Sequence, residues 1–405
     1  MMRVLRTSIA TSLLVASTAT ADVVTDWDAK ACGIVMDAKL PTPGAVRILA
    51  LTETAVYEAV NAITAKYPAS ALNVTPAPGA SVDAAVAAAT RVTLTKTAPT
   101  QQAAIESAYA AALAKIADGA SKTEGIAVGE RAAAAVLASR AADMVPMTDL
   151  YRPRTTPGVY VPTATPVAQR WPERKPWLMS RAKQFRPAAP PKLTSQTWAR
   201  DYNESKAVGG KESAIRTAEQ TEIARFWEAT GPAIYHGILR SVAESPGREV
   251  TRNARLCAAV SQAADDALIA VFDAKYHYEF WRPVTAIRNG DRDFNSATVR
   301  DSTWVPFIDT PMHPEYPCAH CILSGALGTV IQADIGAGPM PTLTTSSPTA
   351  NGASRSWTSI DAFMQEVADA RIYDGVHYRN STVVGTAMGK QIGGLAASKF
   401  FTAPK

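Results

Sequence analysis

Residues 248–283 read REVTRNARLCAAVSQAADDALIAVFDAKYHYEFWRP. Leu256, Val260, Ala263, Ala267 and Val271 recur at three- and four-residue steps, so one stripe is apolar; the spacing predicts a helix from Arg248 to Trp281, ended by Pro283. The same periodicity extends outward on both sides. Upstream, Ile48, Leu51, Ala55, Ala59 and Ala62 keep helical spacing between Arg47 and Ile63, and the alanine-rich run Asp83 to Met144 reads as helix with breaks at Gly119 and Gly125. Nearer the long helix, Thr197 to Val208 is helical with Gly209 as its cap. Thr217 opens another helix through a capping box with Gln220, and Ile223, Phe226 and Trp227 share one face of it. Downstream, helices are expected over roughly Cys321 to Ile335 and Ile360 to Lys399, the second broken near Asp374-Gly375. Strand signals are nearly absent and no repeat of fixed period occurs, so the fold class is all-α.

One stretch departs from this pattern. Nine of the 27 prolines fall between Pro153 and Pro191, which excludes regular helix and leaves an extended surface connection. The expected organisation is therefore two helical-bundle-like halves: residues 22–150, a proline-rich connection 151–193, and a C-terminal helical region 194–405. Residues 1–21 have a different character. Arg3 and Arg6 precede the apolar stretch Ile9 to Ala16, and Ala19-Thr20-Ala21 supplies a small-x-small cleavage pattern, as in a secretory signal peptide. The expectation is export, to the periplasm or the medium.

With 405 residues, 47% of them hydrophobic, and a mean hydropathy of −0.04, the chain can bury a large core and is neither disordered nor collagenous. No interior apolar run reaches the ~18 residues of a membrane span, so no integral segment is expected after cleavage. The formal charge of +5 would fall to +3 on losing Arg3 and Arg6, and no Lys/Arg-rich tract occurs, which argues against nucleic acid as a partner. The four cysteines, Cys32, Cys257, Cys318 and Cys321, would meet an oxidising compartment in which pairing is open. Oligomeric state is left open by the sequence.

Three patches in the C-terminal half carry chemistry. Lys275 and Arg282 stand seven residues apart, about 700° on a helix, so both emerge on one face as cations suited to a tetrahedral oxyanion. His313-Pro314-Glu315-Tyr316-Pro317-Cys318-Ala319-His320 leads into a helix start, where free amides beside a histidine make an anion pocket with a proton donor. In Arg371 to Asn380, RIYDGVHYRN, Gly375 allows a tight turn through which Arg371 and His377 converge. Read singly, these patches are equally a solvated helix end, a capping histidine and a turn.

Taken in order, Lys-x6-Arg-Pro, Pro-x-x-His at a helix start and Arg-x3-Gly-x-His resemble the superfamily that joins type 2 phosphatidic acid phosphatases to vanadium-dependent haloperoxidases. The words around them, Tyr278 to Pro283 (YEFWRP), Val284 to Arg288 (VTAIR) and His313 to Pro317 (HPEYP), are similar to the haloperoxidase branch. Fainter likeness reaches Arg216 to Gln220 and Arg47 to Ile63. The resemblance implies a mainly helical protein with its anion site in the C-terminal bundle. It implies Lys275, Arg282 and Arg371 as clamps on the equatorial oxygens of vanadate or phosphate, with Cys318 and Ala319 lining the same anion. His377 becomes the ligand of vanadium in a peroxidase or the phosphohistidine nucleophile in a phosphatase, and His320 the acid/base opposite. One constellation serves both because trigonal-bipyramidal vanadate has the shape of phosphoryl transfer at its midpoint. In the peroxidase, hydrogen peroxide binds at vanadate, Lys275 polarises it, and halide is oxidised to hypohalous acid.

Departures from the family pattern are informative. Cys318-Ala319 replaces the usual Ser-Gly before His320, Ala370 replaces a serine before Arg371, and Ser381 stands where an aspartate often supports the histidine loop. His313 occupies the halide-side position, histidine in bromoperoxidases and phenylalanine in chloroperoxidases, which favours bromide or iodide. Against a peroxidase, a thiol at Cys318 is oxidisable. The expectations are therefore a vanadate-dependent haloperoxidase-like enzyme first, a secreted acid phosphatase acting on a phosphate monoester without a cofactor second, and a catalytically silent anion-binding protein third. Cys318-Ala319-His320-Cys321 also invites a thiol redox reading, but its flanks are not thioredoxin-like. It matches neither haem attachment nor a zinc finger. Gly385, Gly389 and Gly393 read as close helix packing, and His236 and His277 as packing or surface residues.

Overall fold

The computed structural model describes residues 21–143 and 151–401. All of the expected leader except Ala21 lies outside the described residues. Thirteen α-helices are found among those described: α1 Val23–Asp37, α2 Thr42–Thr64, α3 Val82–Thr97, α4 Gln102–Leu113, α5 Ala120–Ser139, α6 Gln196–Val208, α7 Ala218–Trp227, α8 Pro232–Ala243, α9 Val250–Tyr278, α10 Pro283–Arg288, α11 Ala319–Ile335, α12 Ile360–Tyr373 and α13 Arg379–Phe400. The all-α expectation holds with one addition. Leu343–Ser346 (β1) and Ser354–Trp357 (β2) form a short antiparallel hairpin, with Leu343 opposite Trp357. Each strand is four residues long and only one or two of its side chains are buried, too weak a pattern to signal a strand.

The predicted stripe of α9 explains its central place. Leu256, Val260, Ala263, Ala267 and Val271 are all buried, and α9 packs on α2 on one side and on α11 and α13 on the other. One apolar cluster therefore runs from Val60, Val86 and Val136 through Val260 to Val330 and Ile392. The segment 151–193 holds no α-helix, only short 3₁₀ turns, and polar contacts fasten it to α9. Asp266 accepts the backbone N–H groups of Trp177, Leu178 and Met179 at 2.7–2.8 Å, and Asp265 accepts from the Trp177 indole at 2.7 Å. Arg47 of α2 pairs with Asp265 at 2.6 Å and also with Asp143. His236, given no role from sequence, is buried in a comparable network, paired with Asp28 at 2.5 Å and tying α8 to α1. His277 is exposed.

Small residues set the tightest helix contacts. Gly119 does break the run, as the N-cap of α5, but Gly125, also expected as a break, lies inside α5, where a Cβ would stand 2.4 Å from the Ser81 carbonyl oxygen; a second break comes at Ala98-Pro99, between α3 and α4. On α13 the expectation of close packing holds. A Cβ on Gly385, Gly389 or Gly393 would meet backbone oxygens of Cys318, Ile322 or Ala326 at 2.6, 2.2 and 2.6 Å. Because a helix backbone cannot retreat as a flexible side chain can, Gly389→Ala is expected to cost about 1–3 kcal/mol by overpacking. Gly394→Ala, with no atom within 4 Å, should lose nothing and gain up to ~1 kcal/mol from helix propensity. Urea midpoints of the two variants check the contrast.

Candidate active site

Three cations are driven into the interior of the C-terminal bundle. Lys275, Arg282 and Arg371 are 0–1% exposed, beside the equally buried His377 and Glu315. Their routes into the site differ from the expected one at one point. The long helix was expected to carry Lys275 and Arg282 on one face through Trp281, but α9 ends at Tyr278, where Glu279 turns left-handed at φ 47°. Arg282 instead precedes Pro283 as the N-cap residue of α10, so a chain reversal and not helical spacing brings it to Lys275. The break is a local choice: the Glu279 N–H closes on the Lys275 carbonyl, while its own carbonyl accepts from Tyr160 in the proline-rich segment.

The hydrogen bonds define the protonation of His377 and His320. Arg282 places NH1 3.3 Å from His377 Nε2 and NH2 3.0 Å from His313 Nδ1. A guanidinium has only donors, so His377 Nε2 presents its lone pair. His377 therefore carries its proton on Nδ1 and donates it to Glu315 Oε1 at 2.7 Å, an oxygen that also accepts the Tyr378 N–H at 3.2 Å. Nε2 of His377 faces the cations as a free base. His313 Nδ1 lies 3.0 Å from Arg282 NH2, which can only donate, and 3.1 Å from the Pro314 carbonyl, which can only accept, so these contacts select neither tautomer; the ring packs edge-on against Phe272. His320 has Nε2 3.2 Å from the Ala229 carbonyl, which can only accept, so Nδ1 holds its lone pair. Burial, reinforced by the neighbouring cations, pushes all three histidines well below the usual imidazole range, and they are neutral at ordinary pH.

The cations are held by carbonyls more than by charges. Lys275 donates to the carbonyls of Pro314 and Glu315 at 2.9 and 2.8 Å, which leaves one of its three N–H groups. Arg282 donates to His313 O at 3.0 Å and Val376 O at 2.8 Å. Arg371 donates to Trp227 O at 2.9 Å and pairs with Asp374, while its buried Nε has no hydrogen-bond partner. Burial and the like charge of Arg282 drive Lys275 well below its ordinary pKa, and burial lowers Arg282 to about 10. The two nearby carboxyls respond in the opposite sense: burial raises Glu315 and Asp374 to about 7. Near neutrality neither is fully ionised. The cations are thus undercompensated, and an oxyanion would supply the missing charge and an acceptor for Arg371 Nε.

The second patch is built as a helix start. Cys318 caps α11, which begins at Ala319, two residues before the expected boundary. Its sulfur accepts the Cys321 N–H at 3.3 Å, so one amide expected to be free is already satisfied. All four cysteines are thiols. Gly375 has φ +73° and a Cβ there would stand 2.2 Å from the Gly209 carbonyl oxygen, so the tight turn between α12 and α13 does depend on glycine. Glu315 went unassigned from sequence. It supplies the carboxylate whose loss at Ser381 had been noted: Ser381 Oγ is 3.5 Å from His377 Nδ1, and Glu315 is closer at 2.7 Å. The signal was present in His313 to Pro317, an acid flanked by proline and tyrosine in an otherwise apolar word.

Comparison with known proteins agrees with this architecture. Residues 255–403 match the model of the VCPO second helical-bundle domain. Vanadium chloroperoxidase from Curvularia inaequalis is 28% identical over 153 residues, which is 31% of this chain and 25% of that protein, so the match spans about a quarter of its length. A crystal structure of a bacterial vanadium-dependent iodoperoxidase superposes with a TM-score of 0.79 at 22% identity, covering 94% of this chain and 97% of its own. An apo bacterial vanadium-dependent chloroperoxidase gives 0.73 at 17% identity, covering 87% and 92%. No helix among the described residues is long and apolar enough to cross a membrane. By its fold, and by the sequence of its C-terminal bundle, the chain resembles the haloperoxidase-like branch of the superfamily that also holds the type 2 phosphatidic acid phosphatases.

Proposed function

We propose that the chain is a vanadate-dependent haloperoxidase that oxidises bromide or iodide with hydrogen peroxide. The observation that carries this reading is the undercompensated cation cluster with His377 Nε2 presented to it as a lone pair. Lys275, Arg282 and Arg371 are the donors that would hold the oxygens of bound vanadate, and His377 Nε2 is the nitrogen that would bind the metal. Bound vanadate would supply the Lewis acid that activates peroxide for two-electron oxidation of a halide. The protein's own part is to orient: Glu315 fixes the His377 tautomer, and the Pro314 and Glu315 carbonyls aim Lys275. His320, neutral and unprotonated on Nδ1, would take or return a proton. His313, which packs on Phe272 and bonds Arg282, is the halide-side residue, and its polar ring favours bromide or iodide over chloride.

Export is part of the proposal. Asp22, the residue after the expected cleavage, caps α1 by accepting from Val24 and Thr25, so helix begins directly at the new terminus; N-terminal sequencing of the exported protein would show Asp22 first.

The deciding experiment uses metal-free protein with and without orthovanadate. Bromination or iodination of a dye that requires both vanadate and peroxide establishes the reading. Hydrolysis of p-nitrophenyl phosphate with no vanadate-dependent halogenation replaces it with the phosphatase, for which the same Glu315–His377 pair would orient a phosphohistidine nucleophile. Vanadate binding without either activity leaves a silent anion-binding protein.

A further inference from the structure

We propose that Cys318 and Cys321 are a redox pair in which hydrogen peroxide entering the oxyanion site closes a disulfide across the amino end of α11, with Cys321 as the resolving thiol. The proposal rests on the reading of the site as one that peroxide enters. Its geometric basis is independent of that reading. Cys318 is the N-cap and Cys321 the third helical residue, a spacing at which the cap side chain folds back over the first turn. The two sulfurs lie 2.7 Å apart, so sulfur movement of less than about 1 Å reaches the ~2.05 Å of a disulfide bond.

The two thiols have different roles. Cys318 Sγ accepts both the N–H and the S–H of Cys321. Burial opposes ionisation of Cys318, but those bonds, with the charges of Arg371 and Lys275, outweigh it and hold the thiol below its ordinary range. Burial pushes Cys321 well above. Cys318 is therefore the nucleophile and Cys321 the partner that follows. Cys32 and Cys257, buried elsewhere and also raised by burial, are internal controls.

The chemistry balances with peroxide as the oxidant. The Cys318 sulfur attacks one peroxide oxygen; the S–O bond forms, the O–O bond breaks, and the departing hydroxide leaves as water with the Cys318 proton. The Cys321 sulfur then attacks the sulfenic sulfur; the S–S bond forms, the S–O bond breaks, and a second water leaves with the Cys321 proton. Two electrons pass from the sulfurs to peroxide. Without Cys321 the sulfenic acid would climb to the sulfinic acid, which is not readily reversed. Cys321 thus answers the hazard that a thiol brings to a peroxide-using site. The backbone around the pair is held independently, since the Cys318 N–H donates to Ser381 O at 3.2 Å.

The test treats reduced, desalted full-length protein with stoichiometric hydrogen peroxide and no vanadate, followed by alkylation in denaturant, intact mass and peptide mapping. Two of the four thiols should escape alkylation. The underivatised mass should fall by ~2 Da, with the bridge confined to the peptide holding Cys318 and Cys321. In Cys321→Ser, given at least two equivalents of peroxide, Cys318 should instead gain about 32 Da as the sulfinic acid. Four alkylated thiols, or oxidation confined to Cys32 and Cys257, overturns the proposal in the unaltered protein, whatever the variant does. Mass is read without halide oxidation, so a bridged protein that halogenates nothing sinks the proposed function and leaves the redox pair standing.

Discussion

His377→Ala is expected to abolish vanadate-dependent halide oxidation, a loss of about 10³-fold or more, beyond the roughly 10²–10³-fold that removal of one oxyanion donor costs. The reason lies in how the ring is held. Nδ1 is committed to Glu315, and the backbone carbonyl of His377 accepts from Ser205 Oγ at 2.8 Å, so neither the backbone nor the rotamer is free to offer a substitute. Nε2 presents its lone pair beside the buried Arg282 guanidinium. Its removal also relieves Arg282 of an acceptor while leaving the Val376 and His313 carbonyls in place, so the fold should persist. Residual binding of phosphate or vanadate by the three cations is expected in the variant. The measurements are dye bromination and iodination rates against vanadate concentration, with isothermal titration of phosphate as the binding control. A variant that halogenates at more than a few per cent of the parent rate would remove His377 from the centre of the site.

Much of this site was legible because its residues sit in short words with strong local signals. Thr217 and Gln220 form the capping box read from their spacing, Gly209 does cap α6, and Gly375 does turn the chain before His377. The local signal fails where tertiary contacts decide. Glu279 has no sequence feature that forces a left-handed residue; α9 ends there because the Glu279 carbonyl accepts from the Tyr160 N–H and the Trp281 N–H donates to the Gly158 carbonyl. Asp265 and Asp266 read as polar interruptions of an apolar helix until Trp177 to Met179 dock on them. Glu315 is the instructive case: its partner is 62 residues away, and helical or strand periodicity carries no information at that separation.

Glu315 variants should separate charge from geometry at His377. Glu315→Gln keeps an oxygen that can accept from Nδ1, so the tautomer can survive, but it removes the carboxylate that raises imidazole basicity. A loss of roughly 10–100-fold in halide oxidation or vanadate affinity is expected, as for other groups that orient a metal ligand. Glu315→Ala removes the acceptor too and should be worse, because Ser381 Oγ at 3.5 Å is too distant to replace it. Stability gives a readout that activity cannot mimic. Burial raises the Glu315 carboxyl from 4.5 to about 7 in the folded protein, so on raising the pH the unfolded chain releases this proton first. Between those values the folded state binds more protons, and the group's contribution to stability is lost as pH climbs from about 4.5 through about 7, by up to ~3 kcal/mol. The buried histidines act oppositely, since their lowered values favour folding as pH rises toward the unfolded imidazole value, so the total profile is mixed. The difference between parent and Glu315→Gln isolates the carboxyl: the variant should gain relative stability steadily from pH 4.5 to 7 and hold a constant offset above it. Denaturant midpoints across that range measure it, and parallel profiles would mean that Glu315 is not the group titrating beneath His377.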